Sequence, residues 1–146
     1  MTPPAPQSSG KPVGLTASAG YQIGVRRTLP LSPEKAWTSL TSREGLRLWL
    51  GDWPEPQVAA GVRYETREGH SGEFRIVKPG QQLRLTWQPK HWASPSTVQI
   101  RLLSSHPEKT TISFHQEKLA DAEAREAMKR HWEEALAALA APAAGG

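Results

Sequence analysis

Histidines and carboxylates are the side chains of this sequence that could transfer protons or bind metal ions. Its five histidines show no metal-ligand spacing, and no two share a predicted strand or helical turn: His70, His91, His106, His115 and His131. The sequence therefore predicts no metal site. His131 lies at the edge of an apolar helical stripe, where it is either a boundary side chain or an acid–base group facing a pocket.

Paired carboxylates would indicate acid–base catalysis only if two of them faced the same cleft. Nearly all glutamates fall on the polar faces of the predicted elements, which leaves Asp52 and Glu55 together in a loop. Residues 69–72, GHSG, are explained by a hairpin turn rather than by a phosphate-binding loop. We therefore predict no catalytic residue and no cofactor, and we favour a non-enzymatic function over an enzyme.

Aromatic side chains are the second set with a functional interpretation, because six Trp, two Tyr and two Phe are present. Most of them fall on inward faces of predicted elements, where rings and one methionine would line a ligand pocket between sheet and helix. The predicted ligand-binding residues are Trp37, Trp49, Tyr64, Phe74, Trp87, Phe114, Met128 and Trp132. The alternative is that these rings interlock as a solid core.

The elements that would position these residues follow from hydrophobic periodicity. A period of two predicts about six strands, near residues 21–25, 62–66, 74–76, 83–87, 98–102 and 112–114. Two short helices follow the first strand, with Ser32 and Ser42 as N-caps. A long helix from Asp121 to about Ala140 carries an apolar stripe that matches the inner face of the sheet.

Segregation of strands from helices predicts the α+β class, with a curved antiparallel sheet and the long C-terminal helix lying across it. The length of 146 residues suits one domain, which we place at residues 19–141. Residues 1–18, rich in Pro, Ser and Ala, and residues 142–146 are predicted to be flexible tails because they contain little to bury.

Charge and composition restrict the partners. The net charge is +4 without any block of like charge, so nucleic-acid binding is not predicted. Cysteine and long apolar segments are absent, which favours a cytoplasmic protein without membrane insertion.

Arginines occupy outward positions of the predicted strands, with Glu65 and Glu73 between them. The arginines are Arg26, Arg63, Arg67, Arg75, Arg84 and Arg101. Their side chains form either a solvated face or a surface that binds an acidic protein.

Segments of the chain resemble the activator of heat-shock-protein-90 ATPase homologue family, within the START/SRPBCC helix-grip superfamily. The segments are PEKAWTSLTSREGLRLWLG, GEFRIVKPGQQLRLTWQP, TTISFHQEKL and HWEEALAAL. The resemblance runs from about Gly20 to Ala140. It rests on the order and spacing of Trp37, the Trp49–Leu50 pair, Leu85-Thr86-Trp87 and Trp132.

The resemblance implies a helix-grip fold with a cavity between helix and sheet, and it leaves three functions open. The first is non-enzymatic binding of an apolar or amphipathic small molecule or lipid in that cavity. The second is a protein-interaction module resembling a chaperone ATPase activator, with a chaperone or other acidic protein as partner and a role in stress response. The third is an enzyme of the cyclase or hydratase type, for which no catalytic pattern is present.

Overall fold

A computed structural model describes residues 15–16 and 20–145 of the chain. Seven strands and three helices follow one another along these residues. They are β1 (Leu15–Thr16), β2 (Gly20–Leu29), α1 (Pro33–Thr41), α2 (Arg43–Trp49), β3 (Arg63–Glu65), β4 (His70–Lys78), β5 (Gln82–Pro89), β6 (Ser96–His106), β7 (Lys109–Leu119) and α3 (Ala122–Gly145).

All strands belong to one antiparallel sheet in the order β1-β2-β7-β6-β5-β4-β3. Apart from the two-residue strand β1, these are the six predicted strands, and the sheet curves around the long C-terminal helix. The predicted α+β helix-grip fold is confirmed. The first long strand, β2, pairs with the last one, β7, and both pack against α3.

The helices begin where capping side chains satisfy their first free amides. Ser32 Oγ accepts from the Lys35 amide at 3.2 Å, and Ser42 Oγ accepts from the Gly45 amide at 3.0 Å. Asp121 Oδ1 does the same for the Ala124 amide at 2.7 Å. The predicted N-caps Ser32 and Ser42 are therefore confirmed, and Asp121 caps α3 at the residue where that helix was predicted to begin.

Helix α3 packs chiefly against β2, β7 and α2. Its buried face carries the residues that the apolar stripe predicted, Met128, Trp132, Ala135, Leu136 and Leu139. These side chains meet the inward residues of the central strands, such as Phe114 and Ile100, which are fully buried. The core thus lies between α3 and the concave face of the sheet, as a helix-grip fold requires.

Strand β4 departs from simple alternation. The pairing with β5 shifts between Phe74 and Ile76, so that Ile76 stands opposite Arg84 and Val77 opposite the buried Leu83. Such a bulge places one extra residue on a strand and reverses the faces that follow. A simple period of two from Phe74 would place Ile76 on the inner face, but the bulge places Val77 there instead.

The predicted tails, residues 1–18 and 142–146, lie mostly outside the described residues. Within them, Leu15–Thr16 pair with β2, and α3 is assigned as far as Gly145. The flexibility of both segments and the domain limits at residues 19 and 141 stay predictions.

Candidate ligand site at the end of β5

The predicted pocket residues all belong to one hydrophobic core. Seven of the eight are buried, and Trp37 is partly buried against them. Phe114 stacks on Trp132 at 4.8 Å between ring centroids and meets the edge of Trp49 at 5.8 Å. The side chains thus pack closely against one another. That they bind a ligand stays a prediction.

A second group of rings lies under the neighbouring strands β3 and β4. Trp53 stacks on Phe74 and contacts Tyr64, in both cases at 5.9 Å. The Tyr64 hydroxyl donates to the Thr86 carbonyl at 2.6 Å, and burial raises its pKa well above the ordinary value. Trp53 belongs to the loop after α2, where no periodicity marked it as a core residue.

A chain of buried hydrogen bonds crosses the core behind these rings. The Trp132 indole donates to Gln116 Oε1 at 2.8 Å, and Gln116 Nε2 donates to Ser96 Oγ at 2.8 Å. Ser96 Oγ in turn donates to the Trp87 carbonyl at 2.7 Å. Each group has a partner, so this network ties α3 to β7, β6 and β5 without leaving a polar group unpaired.

The rings approach the surface at the end of β5, where five side chains form what we call the ring cluster: His70, Trp87, Trp92, His131 and Trp132. Trp87 is central, with ring centroids 4.6 Å from His70, 5.5 Å from Trp92, 5.8 Å from His131 and 6.0 Å from Trp132. It is 3% exposed, whereas Trp92 and both imidazoles are partly exposed. The cluster therefore joins the buried core to the solvent.

The two histidines of the ring cluster are held near their neutral forms. Burial lowers the pKa of His131, opposed by its hydrogen bond to the Trp49 carbonyl and by Glu134. Burial is also the main cause that lowers the pKa of His70, with smaller contributions from His131 and His91 opposed by Glu68. Because His131 Nε2 lies 3.1 Å from the Trp49 carbonyl oxygen, that nitrogen carries the proton and Nδ1 is left as an acceptor.

A surface groove of about 440 Å³ adjoins the ring cluster at Trp92. Its walls are the loop between β5 and β6, the connection from β7 to α3, and the first two turns of α3. The lining residues are His91, Trp92, Ala93, Ser94, Lys118, Ala120, Asp121, Glu123, Ala124 and Ala127. This volume lies within the range of small-molecule sites. None of the eight predicted ligand-binding residues lines the groove itself.

Lys118, at the edge of this groove, has a left-handed backbone conformation with φ of 68°. Between the pairs Tyr21–Leu119 and Ile23–Gln116, β7 contains one residue more than β2, which makes a bulge. Apart from glycines, Lys118 is the only residue with positive φ in the described part of the chain. Such a conformation costs of order 1 kcal/mol. The bulge turns the end of β7 toward the groove and the start of α3.

Of the two candidate acids of the sequence, Glu55 is exposed and Asp52 is engaged in ion pairs away from the groove. Asp52 forms ion pairs with Arg67 at 3.0 Å and Arg47 at 3.6 Å, and its amide donates to Glu68 Oε1 at 2.8 Å. Within residues 15–16 and 20–145, no three His, Asp or Glu side chains come close enough to hold a metal ion. No helix in the same residues is long and apolar enough to cross a membrane.

The curved sheet, the long C-terminal helix and the rings between them define a protein of the helix-grip class. The sequence matches the family of Activator of Hsp90 ATPase homolog 1-like proteins over residues 30–144. The chain belongs to this family, as its sequence segments predicted. No curated protein matches the sequence significantly.

Solved structures share the fold at low identity. Protein MLL2253 from Mesorhizobium loti has a TM-score of 0.71 and 23% identity, covering 81% of this chain and 93% of that one. The HSP90 activator PFC0360w from Plasmodium falciparum has a TM-score of 0.67 and 18% identity, covering 77% of this chain and 88% of that one. DynU16, from the dynemicin biosynthetic locus, has a TM-score of 0.71 and 18% identity, and the match covers 82% of this chain and 45% of DynU16. This chain thus spans less than half of DynU16.

Proposed function

We propose that this protein binds an apolar or amphipathic small molecule without chemical conversion, at the groove between α3 and the loop after β5. The observation that carries the proposal is the groove of about 440 Å³, with Trp92 and four alanines among its lining residues. A flat indole beside small side chains offers apolar area for a ligand at little steric cost.

The predicted pocket residues enter this proposal as the inner wall. Trp87 contacts Trp92 edge-on, and Met128 is buried one turn of α3 after Ala124. A ligand that moved the Trp92 ring aside would reach Trp87 without disturbing the stack of Phe114 on Trp132. The ligand therefore occupies the outer end of the space between helix and sheet, and the deeper rings keep the core closed.

Filling the groove tests the proposal. Apolar probes of increasing length are titrated while native mass spectrometry and tryptophan emission are recorded. Ala127→Trp places a bulky ring in the groove and is expected to weaken binding at least tenfold. Ala137→Trp is the matched control, because Ala137 is also an exposed alanine of α3 but is not among the groove-lining residues. The proposal fails if no probe binds, or if both variants bind as the wild type does.

A second candidate is docking of an acidic protein on the outer face of the sheet. Arg26, Ser113, Arg101, Gln82 and Lys78 stand opposite one another across five strands, which makes a row with three cations. Within the described residues, Arg26, Arg84 and Arg101 have no carboxylate within 4.0 Å, whereas Arg63 and Arg75 both pair with Glu73. Unpaired cations on one face favour an acidic partner.

Charge reversal separates this candidate from the first. Arg26→Glu, Arg84→Glu and Arg101→Glu together are expected to abolish salt-sensitive recovery of a chaperone partner, of the kind suggested by the Plasmodium neighbour. Reversal of Lys35, Arg43 and Arg130, which are exposed on helices, is the control. Unchanged recovery by the sheet-face variant would contradict docking on this face, and small-molecule binding should be the same in both variants.

A further inference from the structure

Two polar side-chain atoms are buried without a hydrogen-bond partner among the described residues, His70 Nδ1 and Trp87 Nε1. They belong to neighbouring rings of the ring cluster, with centroids 4.6 Å apart. The fully buried indoles elsewhere are paired, Trp49 with the Leu40 carbonyl at 2.9 Å and Trp132 with Gln116 at 2.8 Å. An unpaired buried donor costs about 1–3 kcal/mol, so its retention at one place requires an explanation.

The ring cluster offers both hydrogen-bond donors and hydrogen-bond acceptors, and none of these groups is charged. The Trp87 indole can only donate, and His131 Nδ1 is left as an acceptor because Nε2 donates to the Trp49 carbonyl. Both imidazoles have lowered pKa values and are neutral at neutral pH. Glu68, His91 and Glu134 act on them from the surrounding elements, and Lys90 lies outside with its side chain near Gly69. An anion would lose its hydration here without a buried cation to replace it.

We infer that Trp87 Nε1 and His70 Nδ1 form the polar end of the ligand site and bind an uncharged oxygen, a hydroxyl or a carbonyl, of an amphipathic molecule. The inference rests on the proposed function and specifies its ligand class. The apolar part of the molecule lies in the groove, and Trp92 separates the groove from Trp87 until the ligand enters. The oxygen accepts from the indole N–H, and a hydroxyl also donates to an imidazole nitrogen.

Three matched probes test the inference: 2-naphthol, 2-methylnaphthalene and 2-naphthoate. Their affinities are measured by calorimetry for the wild type, Trp87→Phe and Trp92→Phe. Trp87→Phe keeps an aromatic ring but removes the N–H, so the affinity ratio of naphthol to methylnaphthalene should fall about tenfold. Trp92→Phe is the control, because it changes a ring of the same cluster while leaving the Trp87 N–H, and the ratio should be retained. Comparing this ratio between variants removes the difference in hydration between the two probes, because that difference is the same for every variant.

A second measurement needs no variant to fold. In the ¹H–¹⁵N spectrum of the wild type, the Trp87 indole signal is expected to move downfield with naphthol and to stay nearly in place with methylnaphthalene. An unchanged affinity ratio in Trp87→Phe together with an unmoved indole signal would overturn the inference while leaving the proposed function intact. Tightest binding of naphthoate would overturn the uncharged ligand class. If none of the probes binds, the proposed function fails and the inference with it.

Discussion

Gln116 is fully buried on the inner face of β7, and both ends of its amide are hydrogen-bonded. Gln116→Leu keeps much of the volume but leaves the Trp132 indole without an acceptor inside the core. We expect the free energy of unfolding in urea to fall by about 2–3 kcal/mol, because an unpaired buried donor adds to the lost bonds. Gln99→Leu, on the outer face of β6, should change it by less than about 0.5 kcal/mol. Equal losses would show that the network contributes nothing specific.

His131 provides a prediction for pH. Its folded pKa lies below the ordinary value of 6.5, so the unfolded chain takes up the proton first as the pH falls. The contribution of neutral His131 to stability is therefore complete above about pH 6.5 and is lost progressively as the pH falls below it. Urea unfolding between pH 7 and 5.5 should show a shallower loss for His131→Gln than for the wild type. His106→Gln, at an exposed position in β6, should keep the wild-type slope. A steeper or unchanged slope in His131→Gln would contradict this.

At the scale of elements, the backbone conformation of Lys118 in the bulge of β7 restricts which residue types are tolerated at that position. Glycine tolerates a φ of 68° without a steric penalty, and a β-branched residue does not. Lys118→Gly should therefore unfold at the same or a slightly higher urea concentration, whereas Lys118→Val should lose about 1–2 kcal/mol. The same pair of changes at Glu117, which directly precedes Lys118 and pairs with Thr97 of β6, should favour valine instead. Valine tolerated equally at both positions would mean that the bulge is not constrained.

Most helices and strands could be predicted because the residue patterns that specify them are local in the sequence. Alternation of Leu83, Leu85 and Trp87 with polar residues identifies a half-buried strand, and Ser32 and Ser42 mark helix starts through short-range hydrogen bonds. The bulge in β4 could not be predicted, since Ile76 and Val77 are adjacent apolar residues and either suits the inner face. The choice is made by pairing with β5, which is a long-range interaction.

The candidate site was predicted less well than the fold. Trp92 lies in a loop between two prolines, where neither helical nor strand periodicity applies. The sequence predicted His70 to lie in a turn, although it is the first residue of β4 and contacts Trp87 of the next strand. Its electrostatic coupling to His131 joins residues far apart in the sequence, so only the folded sheet brings them together. The aromatic core could be predicted from residue types, but which ring reaches the surface depends on tertiary contacts.

The whole molecule carries a net charge of +4, part of which is concentrated in the row across the sheet. Ser113 stands between Arg26 and Arg101 in that row. Ser113→Glu should raise the free energy of unfolding by about 0.5 kcal/mol at low salt, because it pairs two like charges with one carboxylate. The gain should vanish at high salt, and Ser113→Gln should show none. The same variant should weaken docking of an acidic protein, so stability and partner binding are expected to change in opposite directions.

The contact series from Trp132 through Trp87 to Trp92 has an optical consequence. Indoles a few ångströms apart exchange excitation faster than they emit, so light absorbed at any of them is shared along the series. A ligand that displaces only Trp92 would then change the emission of tryptophans it never touches. The intensity reports occupancy of the groove without a label, and the ring that responds is found only by replacing the indoles one at a time.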